Sequence, residues 1–72
     1  MTKLGLFLAQ KSVNKAEISR RTGISKNRLS QLSNNLAAKL TAEELYKIAL
    51  AMSSDPCEVL VALFKEIHLT SE

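Results

Sequence analysis

The stretch NKAEISRRTGISKNRLSQLSNN, residues 14–35, decides how this chain folds. Glu17 stands three residues after Asn14, the spacing of a capping box, so a helix is predicted from Lys15. Gly23 can take a left-handed backbone turn at no steric cost, and it ends that helix. Ser25 then caps a further helix, Lys26 to about Asn34. Only Gly23-Ile24-Ser25 separates the two. Helices this short and this closely joined must cross, and the crossing constrains the side chains around it. Ser19 must be small, Ile24 must plug the corner behind the turn, and Ile18, Leu29 and Leu32 must face the rest of the protein. Each position holds a suitable residue.

Working outward, Thr2 caps a helix over Lys3–Lys11, with Leu4, Phe7 and Leu8 on one face. Residues 34–39 carry no periodic signal and read as a loop. Thr41 and Glu44 form another capping box, opening a helix to about Met52 with Leu45, Ile48, Ala49 and Met52 turned inward. After a break at Ser53-Ser54, Asp55-Pro56-Cys57-Glu58 starts a fifth helix, predicted to reach about His68. Its stripe of Leu60, Leu63, Phe64 and Ile67 is expected to close the bundle. The fold predicted is all-α, a five-helix bundle with a helix-turn-helix, in a single domain over residues 1–72.

Composition agrees with that reading. A chain of 72 residues has room for one core. Hydrophobic residues make up 46%, but the aromatics are only Phe7, Tyr46 and Phe64, so the interior must be aliphatic. Two glycines and one proline are too few for a hairpin-rich β fold. No apolar run approaches the ~18 residues that span a bilayer, and no secretion signal is evident. Cys57 has no second cysteine to pair with, which fits a reducing, cytoplasmic setting.

The net charge of +3 is unevenly spread. Residues 1–40 hold eight basic groups against Glu17 alone, a balance of +7, whereas residues 41–72 come to −4. One half of the chain is built to attract a polyanion and the other is not. The helix predicted over 26–34 sharpens this. With Leu29 and Leu32 on its buried side, Asn27, Ser30, Gln31 and Asn34 fall on the opposite side, flanked by Lys26 and Arg28. Asn and Gln can bond bidentately to the N6/N7 edge of adenine, and Lys can donate to guanine O6 and N7. No acid on this face would repel phosphate.

Residues 14–35, followed by KLTAEELYKIALAMSSDPCEVL at 39–60, resemble the Cro/phage-repressor helix-turn-helix, the XRE-like or lambda-repressor-like domains. The resemblance covers about residues 4–64. It implies a bundle of about five helices that binds operator DNA, usually as a dimer, with the second motif helix in the major groove. By position it implies base-reading roles for Ser25, Lys26, Asn27 and Gln31, with Ser30 beside them. Asn14, Lys15 and Asn34 fall where the family contacts the DNA backbone. Arg20, Arg28 and Lys39 are expected to add charge toward phosphate. The chain departs from the family pattern at three places: Lys15 stands where glutamine is common, Ser19 where alanine is usual, and Leu40 where the loop usually carries proline.

No nucleophile–base–acid set, phosphate-binding glycine loop or cluster of metal ligands occurs in the sequence, so neither enzymatic activity nor a cofactor, metal or small-molecule substrate is expected. His68 reads as an exposed tail residue, Cys57 as packing or partly exposed, and Tyr46 as a partly packed surface aromatic. Helix five carries more apolar residues than one stripe can bury. A homodimer through that helix is one expectation, and it would set two recognition helices about 34 Å apart on a palindromic site. Scattered exposure in a monomer is the other. The rival to DNA binding is an antitoxin-like or adaptor domain that captures a protein partner on helix five.

Overall fold

Each helix begins where a side-chain oxygen can take up its first free amides. In the computed structural model, which describes residues 1–70, these are α1 (Lys3–Gln10), α2 (Lys15–Thr22), α3 (Lys26–Asn34), α4 (Ala42–Ala51) and α5 (Pro56–Phe64), with no strand among the described residues. Thr2 accepts from the Gly5 N–H, Ser25 from the Arg28 N–H and Asp55 from the Cys57 N–H. The capping box at Thr41 and Glu44 is complete. At α2 only half of one forms: Asn14 Oδ1 accepts from Ala16 and Glu17, while the Glu17 carboxylate turns to Arg20.

The helix ends are equally local. Gly23 takes φ +80° and donates its N–H to the Ser19 carbonyl, closing α2. Helices α1 and α4 both finish in a Schellman motif without glycine. Ser12 (φ 56°) and Ser53 (φ 57°) hold the left-handed position. Val13 then donates back to the Leu8 carbonyl, and Ser54 to the Ala49 carbonyl.

One core joins the five helices: Leu4, Leu8, Ile18, Leu29, Leu32, Leu45, Ile48, Ala49, Val59 and Leu63. Phe7, Val13, Ile24 and Leu40 pack against its edge. Helix α3 lies between α1 and α2, α2 also packs on α4, and α5 packs on α4 and α1. The remaining side of α3 is therefore open.

Its far end is held by α1. Thr2 N–H donates to the Ser33 carbonyl at 2.8 Å, and Thr2 Oγ1 donates to the Leu32 carbonyl at 2.6 Å. This satisfies acceptors that the end of α3 would otherwise leave free. Buried Gly5 makes the approach possible, because a Cβ there would overlap the Ser33 carbonyl oxygen and stand 3.0 Å from its carbon. The Ser33 side chain is buried in the same junction, and its Oγ has no hydrogen-bond partner among the described residues.

Helix five differs from expectation twice. It stops at Phe64 rather than reaching His68, with Ile67 N–H closing a turn onto the Phe64 carbonyl. Residues 65–70 are all exposed, so further turns would bury nothing, and Glu66 is tied back to Lys3 of α1 at 2.8 Å. The buried stripe is Val59 and Leu63, one turn apart; Leu60, Phe64 and Ile67 face outward. Among the described residues, no helix is long and apolar enough to cross a membrane.

Candidate nucleic-acid interface

The turn between α2 and α3 is fixed from inside. Thr22 Oγ1 donates to the Ile18 carbonyl at 2.7 Å and accepts from the Ile24 N–H at 3.1 Å. Ile24 is half-buried behind the turn, and Leu29 and Leu32 are buried against the core. With that side anchored, Lys26, Asn27, Ser30, Gln31 and Asn34 all emerge into solvent. Asn27, Ser30, Gln31, Asn34, Asn35 and Leu36 line one shallow concave surface.

The hydrogen bonds within this region leave each polar group a definite remaining capacity. Ser25 Oγ accepts from the Arg28 N–H at 3.0 Å, so its hydroxyl proton is what it can offer outward. Asn14 uses Oδ1 for the cap of α2 and keeps its NH2 for a ligand. Asn34 Nδ2 donates one hydrogen to the Ser30 carbonyl at 3.1 Å, leaving its second N–H as a donor and Oδ1 as an acceptor.

The cations divide into two groups. Lys15, Lys26 and Lys39 are exposed, and none pairs with a carboxylate among the described residues. The arginines are engaged within the protein. Arg20 pairs with Glu17 on its own helix. Arg21 donates to the Ala51 carbonyl at 2.8 Å and so satisfies the end of α4. Arg28 spans from α3 to the start of α4. Its Nε donates to Glu44 Oε2 at 2.8 Å, and one terminal nitrogen donates to Glu44 Oε1 at 3.1 Å and to the Lys39 carbonyl at 2.8 Å. This fork raises the Arg28 pKa and, with the two Thr41 hydrogen bonds, holds the Glu44 carboxyl down at about 2. Arg28 thus links α3 to both the start of α4 and the loop that carries Lys39.

A capped helix, a glycine turn and a solvent-facing amide helix thus occupy the positions that the sequence assigned them. Residues 3–64 match the family model described as Cro/C1-type HTH DNA-binding domain. The chain belongs to this family. No curated protein and no solved structure matches the chain significantly. As a Cro/C1-type domain it is a DNA-binding regulator of a non-enzymatic class, with α2 and α3 as its helix-turn-helix. Among the described residues, no group of three or more His, Cys, Asp or Glu side chains is placed to hold a metal ion.

Three residues that shape this region of the Cro/C1-type domain were not singled out by the sequence. Asn35 accepts from the Ala37 N–H at 2.9 Å through Oδ1 and so shapes the loop; its position just after a helix was the available signal. Thr22 locks the turn through a hydrogen bond four residues back along its own helix. Leu36 is exposed just beyond the open face of α3, and nothing local in the sequence distinguishes it from a core leucine.

Proposed function

We propose that this chain is a sequence-specific transcriptional regulator of the phage-repressor type, acting in the cytoplasm by occupying an operator with α3 in the major groove. The observation that carries this reading is the solvent-facing row of Asn27, Ser30 and Gln31, free of acids, on a helix whose other side is buried at Leu29 and Leu32. Lys26, Asn27, Ser30 and Gln31 give the sequence preference, with the Ser25 hydroxyl at the helix start. Asn14 and Lys15 at the start of α2, Asn34 at the end of α3 and Lys39 in the following loop hold the DNA backbone. Arg20 and Arg28 add charge that Glu17 and Glu44 partly offset. About four to six phosphate contacts per subunit make binding fall steeply with salt.

The outward residues of α5 support a homodimer. Leu60, Val61 and Ile67 are 49%, 60% and 68% exposed, and Phe64 and Ile67 line an apolar groove with Leu40 and Leu63. A second copy seated there pairs two recognition helices on a palindrome. The same residues equally suit a protein partner in the manner of an antitoxin or adaptor. The mass in solution separates these: a concentration-independent monomer removes the dimer and leaves DNA binding standing.

Selection of bound fragments from a random duplex pool tests the main reading. A convergent motif is expected, and Gln31→Ala should lose about 1–3 kcal/mol at one base pair and relax preference there. Equal loss on every duplex would contradict base reading by Gln31.

A further inference from the structure

We propose that Leu36 is a specificity-determining residue of this surface, packing on the C5-methyl group of a thymine in the major groove. The inference rests on the DNA-binding reading above and adds a contact that amides cannot make. Leu36 is 82% exposed; among the large hydrophobic side chains only Leu69, in the tail, is more so at 95%. Its loop neighbours Ala38 and Leu40 turn inward and pack on the core. Leu36 therefore stands out by backbone geometry, not for want of a core to join.

That geometry is held by three hydrogen bonds. Asn35 N–H donates to the Gln31 carbonyl at 2.8 Å, which ties the loop to the end of α3. Ala38 N–H donates to the Asn35 carbonyl at 3.0 Å, closing a turn with Leu36 at its corner. The Asn35 side chain accepts from Ala37 N–H at 2.9 Å and fixes the same turn from outside. The leucine side chain borders the apolar groove beside α5 and is also presented on the concave surface shared with Asn27, Ser30, Gln31, Asn34 and Asn35. Every other side chain there is an amide or a hydroxyl. Those groups read the nitrogen and oxygen edges of the bases. The thymine methyl is the apolar feature of the major groove, and Leu36 is the apolar member of this surface.

The test uses the full chain and a duplex taken from the selected pool, with binding followed by fluorescence anisotropy. Each dT is replaced singly by dU, which removes only the C5-methyl. Wild type should lose about fourfold at one dT, the transfer value of a single buried carbon group. Leu36→Ala should bind the dT and dU duplexes equally at that position and keep the preference read by Gln31; Leu36→Val should keep part of the dT preference. Placing 5-methyl-dC·dG against dC·dG there should restore a methyl-dependent gain in wild type and none in Leu36→Ala. Indifference of wild type to every dU overturns the proposal. So does an undiminished dU penalty in Leu36→Ala, including the case where that variant only loses self-association and Leu36 belongs to an interface between copies. Wild type that binds no duplex at any salt overturns the DNA-binding reading, and this proposal with it.

Discussion

Gly5→Ala should destabilise this protein although it adds only one methyl group. On helix propensity alone alanine would be favoured by about 1 kcal/mol. The structure reverses the sign. The new Cβ overlaps a backbone carbonyl oxygen, that of Ser33, and its carbon lies 3.0 Å away. Carbon and carbonyl oxygen come to rest at about 3.3–3.6 Å, so α1 must retreat from α3 by about 1 Å. That movement stretches both hydrogen bonds from Thr2 to the end of α3, now 2.8 and 2.6 Å long. Overpacking costs about 1–3 kcal/mol, and each lost hydrogen bond about 1 kcal/mol. After the propensity gain, the net loss is about 2–4 kcal/mol, a large share of what a domain of this size possesses. Urea unfolding followed by circular dichroism at 222 nm measures it. Because Ser33 and Asn34 are the last residues of α3, any folded Gly5→Ala protein should also bind DNA more weakly. A midpoint equal to or above that of wild type would refute the claim that α1 and α3 need a bare backbone there.

Lys15→Ala should weaken binding to all duplexes alike and reduce the slope of log affinity against log salt by about 1, read from titrations across a salt series. Glu44→Gln keeps the capping-box geometry but removes the charge facing Arg28. The Glu44 carboxyl is depressed from 4.5 to about 2, so its contribution is complete above about pH 4.5 and disappears as pH falls toward 2. In that window wild type should lose stability with acid more steeply than Glu44→Gln, and parallel pH–stability curves would count against the ion pair. Ser53→Gly relieves a left-handed serine at the end of α4 and should raise stability by about 0.5–1 kcal/mol in the same urea assay. A drop would mean that the Ser53 side chain holds something the backbone geometry does not reveal.

What could be read from the sequence was what is decided locally. Caps at Thr2, Asn14, Ser25, Thr41 and Asp55, the left-handed Gly23 and the two inward leucines of α3 each depend on residues within one turn, and all five helices start where those signals put them. The exposed side of α3 followed from Leu29 and Leu32. Helix five was misjudged because Val59-Leu60-Val61-Ala62-Leu63-Phe64 is apolar all round. Without a polar face, periodicity cannot say which stripe turns inward, and the packing on α1 and α4 decides for Val59 and Leu63. The need for glycine at position 5 is set by α3, 28 residues on, and no local pattern shows it. Ser12 and Ser53 hide their left-handed turns because serine is not glycine. Arg28 read as a free cation because its partner Glu44 lies 16 positions on, across a loop.

The central claim is that the open face of α3 meets duplex DNA, and an NMR titration of the isotope-labelled chain with a selected duplex tests it most directly. The largest shift changes should fall on the backbone amides of residues 25–31 and on the side-chain NH2 groups of Asn27 and Gln31, with smaller ones at Asn14, Lys15 and Lys39. Changes confined to α5 and the end of α1, with Asn27 and Gln31 unmoved, would contradict the account.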